Sequence, residues 1–418
     1  MDEALEQVEE SEPPVPSMIS REDWADVSRL LAEYLVEEER GQEVLEELEK
    51  HGARLMLSPD QKRARPGIGR KLFKAAGVEM PEEEQLQLLS AVEGVHFYTK
   101  GIDDIQDGDL ERNGLPTLHR YTSHYLEDDG SSLFRPRGGV IGRLVSLIPA
   151  FPRQEPDVGS LGDHIANNYF LSVKSRVPGM ISGLDSLSYE KREQLRYALD
   201  ESQQRLADGQ NLDLAGTEIG EGRLTPNYLG GDLDVMAHLH DTNEGKTAEL
   251  FALLGRFTRI ISDEYDGDEL EQWGRGAGQA FQVTDDVLDL EHGRNSDIEG
   301  NNYTVPIYIA ERYLHSLPEE ETPVDRWGQP LDEKLTRLLR KEDPSGEQAE
   351  EANRIITEET PAVEASYKLA RHLTEHATGY EGREDMDGVP LDEVDWEDET
   401  YIEEVRQLSR LLGYQREK

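Results

Sequence analysis

An all-α fold is predicted, on three observations. Apolar residues recur at helical spacing over long stretches, the alternation a strand needs is scarce, and the chain is 36% hydrophobic despite a formal charge of −45. That hydrophobic share also argues against an acidic disordered chain. Residues 1–20, with six acids, no base and three prolines, read as an acidic disordered tail. Ser20 or Asp23 can then cap a helix running toward Leu48. In 82–107, Leu88, Val92, Val95, Thr99 and Ile102 step by four and three, which makes a core-facing stripe. Beside it runs a polar stripe of His96, Lys100, Asp103 and Asp107. Helical patterning continues over 191–207, 246–263, 271–290, 304–315 and 350–377. On 271–290, Gly278, Gln282, Asp285 and Asp289 form the line equivalent to the polar stripe. The stretch 379–399 is acidic and turn-rich, with Gly379, Gly382, Gly388 and Pro390, and a last helix over about 400–413 lies in the terminal segment 400–418. Residues 21–378 are expected to form one domain, with 120–163 as an insertion.

Charge and composition narrow the setting. Of the 44 basic residues only 12 are Lys, against 89 acids. A strongly acidic, Lys-poor surface suits molar salt, where the Debye length falls to about 3 Å and self-repulsion is screened. Nucleic acid is not an expected partner at this charge. The absence of Cys excludes disulfides, thiolate chemistry and Cys-ligated zinc. No apolar run approaches the roughly 20 residues of a membrane span, and no signal segment opens the chain, so a cytoplasmic protein is expected. Two cationic islands interrupt the acidity. No Asp or Glu occurs between Gln61 and Val78, where Lys62, Arg63, Arg65, Arg70, Lys71 and Lys74 cluster, or between Gly130 and Gln154, which holds Arg135, Arg137, Arg143 and Arg153. An anionic ligand is the expected reason for the first, where Pro66 and Gly67 break any simple solvated helix face.

Two Asp-Asp-x-x-Asp runs, Asp103–Asp107 and Asp285–Asp289, carry the chemistry. On a helix, positions i, i+1 and i+4 bring three carboxylates to one side. Two such clusters suit Mg2+, which takes a few carboxylates and completes its octahedron with phosphate oxygens and water. Cations held by two such clusters facing each other would in turn bind a polyphosphate.

Five blocks in order resemble the trans-isoprenyl diphosphate synthase (polyprenyl synthetase) family over roughly 55–310, and more loosely to 377. Lys-Arg-Ala-Arg-Pro at 62–66 is similar to the family's Gly-Gly-Lys-Arg-x-Arg-Pro, and Val-Glu-Gly-Val-His at 92–96 to its Glu-x-x-His block. The first acidic run continues into Arg112, Gly114, Pro116, Thr117 and His119. Gly-Gln-Asn-Leu-Asp at 209–213 and Lys-Thr-Ala at 246–248 follow, and then Gly-Gln-Ala-Phe-Gln-Val-Thr-Asp-Asp-Val-Leu-Asp at 278–289.

The resemblance implies a single large helical bundle around a deep central cavity, of the isoprenoid synthase type, usually a homodimer. It implies condensation of isopentenyl diphosphate with an allylic diphosphate, dependent on Mg2+. Metal ligation is implied for Asp103, Asp107 and Asp285, with Asp104, Asp286 and Asp289 completing the two clusters. Arg112, Lys246 and Arg294 would hold the allylic diphosphate, and Lys62, Arg63 and His96 the isopentenyl diphosphate. Thr247 and Gln282 would sit near the reacting carbon. Tyr98 beside the small Thr99, one turn upstream of the first acidic run, fits a short product of about twenty carbons, which points to geranylgeranyl diphosphate.

Departures from the family pattern are specific. Asp60 and Gln61 stand where the family has two glycines, Asn113 replaces a second arginine, Asn302 replaces a lysine, and Asn167-Asn168 stands for the Gly-Asp that opens the next helix. Arg135, Arg137 or Arg143 on the insertion could replace the missing cations. The alternative function is a catalytically impaired paralogue serving as regulatory subunit of a true synthase.

Overall fold

The computed structural model describes residues 27, 50–52, 54–55, 64–112, 114–124, 158–218, 239, 241–262, 268–300, 302–318, 320–340 and 344–377. The acidic tail, the expected helix toward Leu48 apart from Val27, the basic residues 135, 137 and 143, and everything after 377 lie outside them. Within the described residues the protein is all-α apart from a two-stranded hairpin and one isolated bridge. No helix among them is long and apolar enough to cross a membrane. Contacts divide the chain into two compact units, 1–67 with 80–188 and 68–79 with 189–418.

The first helix, α1 (Ala64–Ala75), begins two residues before Pro66. Proline therefore does not break this segment as expected from the sequence. It falls in the first turn, where backbone N–H groups have no intrahelical partner and the missing donor costs nothing.

In the first unit, α2 (Glu82–Asp107) packs against α3 (Val158–Ser182). Three glutamates, Glu82 to Glu84, open α2 and favour the positive end of its dipole. The first three residues of its predicted stripe, Leu88, Val92 and Val95, are buried at 0% exposure, while Thr99 and Ile102 are half-buried. Phe170, Val173, Val177 and Ile181 form the opposing face on α3. Close packing depends on two glycines. A methyl on Gly94 would stand 2.9 Å from Val177, and one on Gly101 would overlap the Phe170 ring. Helix α2 ends at Gly108, whose φ of +72° lets its N–H return to the Asp104 carbonyl. A short hairpin follows, β1 (Glu111–Arg112) and β2 (Leu115–Pro116), pairing Arg112 with Leu115. Asn167 and Asn168 do not open a helix; they lie inside α3.

In the second unit the core is α4 (Tyr189–Glu218), a π-helical turn (Glu244–Ala248), α5 (Glu249–Ile261) and α6 (Glu269–Glu291). Helix α6 packs on α5 along one side and on α11 (Ala362–Ala377) along another. Gly274 and Gly278 let α6 reach backbone contact with Phe251 and Ala248. A second apolar cluster joins α7 (Ser296–Glu299), α8 (Val305–Ser316), α9 (Leu331–Leu339) and α10 (Gly346–Glu358) through Ile298, Leu314, Leu335 and Ile355. The single helix expected over 350–377 is two helices. Pro361 lacks an N–H and disfavours helical geometry at Thr360, so α10 stops at Glu358 and α11 restarts at Ala362.

Candidate active site

The first acidic run sits at the end of α2. Asp103 and Asp104 are buried, Asp107 is exposed. Lys100, one turn earlier, forms an ion pair with Asp103. The turn at Gly108 brings the hairpin back, and Arg112 donates through Nε to both Asp104 oxygens at 2.8 and 3.0 Å. Thr117 secures this return, its N–H bound to Leu110 O at 3.0 Å and its hydroxyl to Asp109 O at 2.7 Å. Burial pushes the Asp104 carboxyl upward in pKa, and the Arg112 hydrogen bond opposes that shift.

A small cleft of about 40 Å³ opens here, lined by the polar His96, Lys100, Asp104 and Arg112 and by the apolar Phe97, Leu118 and Phe170. Burial drives the His96 imidazole well below its ordinary pKa, and the nearby positive charge of Arg65 adds to that, so the ring is neutral at pH 7. Arg65 is a residue the sequence reading did not assign. Its Nε donates to Glu93 Oε1 at 2.8 Å, and Glu93, one turn before His96, is only 1% exposed. Membership of the first cationic island was the available signal. Lys62 and Arg63 lie outside the described residues.

The second acidic run sits at the end of α6. Gln282 links two neighbours there: it accepts the Thr247 hydroxyl and donates to Asp286 Oδ1 at 2.7 Å. Asp286 is buried, and burial, followed by repulsion from Asp297, raises its pKa well above the usual carboxylate range. Asp285 and Asp289 add to that repulsion. Asp285 is half-buried, and Asp289 accepts the backbone N–H and hydroxyl of Ser296, both at 3.0 Å. Lys246 meets Asp213 at 2.5 Å. Here α4 crosses the π-turn at two glycines: a methyl on Gly209 would stand 2.6 Å from Gly245 Cα and 2.7 Å from the Lys246 backbone nitrogen. Arg294 is exposed, and Asn302 is half-buried with its N–H on Asp297 O at 2.7 Å.

Each unit thus gathers its own set. His96, Asp103, Asp104, Asp107 and Arg112 belong to the first; Lys246, Thr247, Gln282, Asp285, Asp286 and Asp289 belong to the second. In both runs the second aspartate accepts a hydrogen bond from a neighbouring side chain, Arg112 for Asp104 and Gln282 for Asp286, while Asp103 pairs with Lys100 and Asp289 with Ser296. Among the described residues no three His, Asp or Glu side chains converge closely enough to hold a metal ion by themselves. The donor set nevertheless fits a hard cation that takes phosphate and water oxygens as further ligands. Asp285, Asp286, Asp289 and Asp297 repel one another at one helix end, a charge excess that a divalent ion offsets.

Residues 167–327 match the family model described as Polyprenyl synthetase. Farnesyl diphosphate synthase of Bacillus subtilis (strain 168) is 26% identical over 240 residues, which is 56% of this chain and 64% of that protein, just under two thirds of its length. Among solved structures, geranylgeranyl pyrophosphate synthase from Corynebacterium glutamicum, complexed with isoprenyl diphosphate and magnesium, superposes with a TM-score of 0.67 at 19% identity, covering 94% of this chain and 98% of that one. Geranylgeranyl pyrophosphate synthetase from Pyrococcus horikoshii Ot3 gives 0.62 at 18% identity, covering 99% and 98%. At these identities the structural likeness establishes the fold.

Proposed function

We propose that this chain, whose residues 167–327 match the polyprenyl synthetase family, is a prenyltransferase of that family that condenses isopentenyl diphosphate with an allylic diphosphate into a short-chain product, specifically geranylgeranyl diphosphate. One observation carries the reading. In each Asp-Asp-x-x-Asp run the second acid is buried and hydrogen-bonded by a neighbouring side chain, Asp104 by Arg112 and Asp286 by Gln282, so the two runs repeat one local arrangement at a helix end, with Asp103, Asp107, Asp285 and Asp289 as the ligand candidates. Magnesium bound by them would supply Lewis-acid neutralisation of the departing diphosphate.

The chain's own residues account for the rest. Lys246 and Arg112 would bind phosphate oxygens of the allylic substrate, exchanging their present carboxylate partners for them. His96, neutral, would donate one hydrogen bond to isopentenyl diphosphate, with Lys62, Arg63 and Arg65 supplying charge. The allylic C–O bond breaks, the isopentenyl double bond attacks that carbon, and loss of a proton restores a double bond. Thr247 and Gln282 place oxygens beside the carbon that becomes cationic. A second copy of the chain is the proposed partner; Tyr189 and Tyr197 on α4, each 73% exposed, offer it apolar surface.

The test is incubation with isopentenyl diphosphate and dimethylallyl, geranyl or farnesyl diphosphate, with Mg2+ in molar KCl, and sizing of products by chromatography. Product that disappears in Asp103→Ala and Asp285→Ala supports the assignment. No product from any primer favours the regulatory-subunit reading, to which the uncharged Asn302 already lends weight.

A further inference from the structure

The π-turn that carries Lys246 and Thr247 is gripped from α6 at its two ends. Arg275 Nη1 donates to Glu244 at 2.9 Å and to Glu249 at 3.1 Å, while Nη2 donates to Glu271 at 2.8 Å. Glu244 opens the π segment and Glu249 directly follows it, so the guanidinium joins residues i and i+5. At 3.6 residues per turn those positions would lie about 140° apart around an α-helix. Only a turn widened to i→i+5 bonding brings both onto one side. A single nitrogen bound to both carboxylates therefore selects the wide turn over the ordinary one.

The surroundings make this grip firm. Glu249 is fully buried, and its other oxygen is held by Arg256 and by the Ser202 hydroxyl at 2.8 Å. Such a network is a poor source of stability, because apolar side chains of equal volume generally match a buried ion-pair cluster. Geometry is what it adds. Arg275 and Gln282 are seven residues apart, two turns on one face of α6, so the same stripe holds the turn by Arg275, touches Ala248 at Gly278 and meets Thr247 at Gln282.

We infer that Arg275, with Glu244 and Glu249, is a positioning clamp that sets the π register of this turn and thereby aims Lys246 and Thr247 at the allylic diphosphate. The inference rests on the prenyltransferase reading for its consequence in catalysis, but not for the clamp itself. Hydrogen exchange and steady-state rates on the intact protein separate the two. In Arg275→Met, amides of 244–250 should exchange faster while those of α10 and α11 do not change. Turnover should fall about a hundredfold, the scale of a 1 Å misplacement, with KM for isopentenyl diphosphate unmoved. In a Lys246→Ala background the same substitution should cost clearly less than in the wild type, the remainder being what the misplaced Thr247 contributes. Unchanged exchange at 244–250, exchange raised throughout, or fully additive losses would overturn the clamp. Should Arg275→Met not fold, Glu244→Ala removes the more exposed jaw and is read the same way. A wild-type protein that makes no prenyl product defeats the functional reading, while the exchange pattern still decides whether the clamp exists.

Discussion

Gln282 lies one turn before Asp286 on α6, and its amide nitrogen donates to that buried carboxylate at 2.7 Å while its oxygen accepts the Thr247 hydroxyl. The side chain is thus fixed at both ends. It orients the second aspartate of one acidic run, and Arg112 holds the corresponding aspartate of the other.

Replacing Gln282 by Leu should leave Asp286 buried without that donor and raise its pKa further. Loss of one oriented donor beside developing charge typically costs on the order of 10²–10³ in kcat. Initial rates in Gln282→Leu should fall by that range, and the Mg2+ concentration for half-maximal rate should rise. An unchanged magnesium dependence would detach Gln282 from the acidic cluster.

Gly101 faces the Phe170 ring with no room for a methyl. Gly101→Ala should destabilise the protein by about 1–3 kcal/mol, the usual cost of overpacking. Urea midpoints measure this. Combining it with Phe170→Leu should recover part of the loss, because the smaller side chain yields the space.

Acid stability should depend on Glu351. Hydrogen bonds from Arg354, then Lys334, hold its carboxyl at about 2, below its ordinary value near 4.5. A depressed folded-state pKa contributes stability that is complete above about pH 4.5 and is lost as pH falls toward 2. In Glu351→Gln, stability should fall less steeply across that window. Urea midpoints at stepped pH test this, and parallel curves for both proteins would refute it.

A net charge of −45 makes stability salt-dependent. Raising KCl from about 0.1 M to 1 M shortens the Debye length from about 10 to 3 Å and screens self-repulsion. Tm should climb over that interval. A flat Tm would remove the argument for a molar-salt setting.

Much of the helical layout was legible without coordinates. The span 82–107 matches α2, because its stripe, its acidic first turn and Gly108 after it are all local signals. The second run was likewise readable as a helix, from the line of Gly278, Gln282, Asp285 and Asp289 within 271–290. Less legible were the break at Pro361, hidden in a pattern that continues on both sides, and the start of α1, where Pro66 reads as a breaker until its place in the first turn is known.

What the sequence determined by itself is therefore the all-α class and the identity of the acidic, cationic and hydroxyl side chains available for chemistry, since helical period and residue type are properties of short segments. The tertiary structure decided that Arg65 meets Glu93, that Thr247 meets Gln282, and that residues 244–248 widen into a π-turn. Those outcomes depend on groups 28, 31 or 35 positions away, such as Glu93 from Arg65, Arg275 from Glu244 and Gln282 from Thr247. No local pattern records them, because chain folding alone brings such partners within the 3 Å reach of a hydrogen bond.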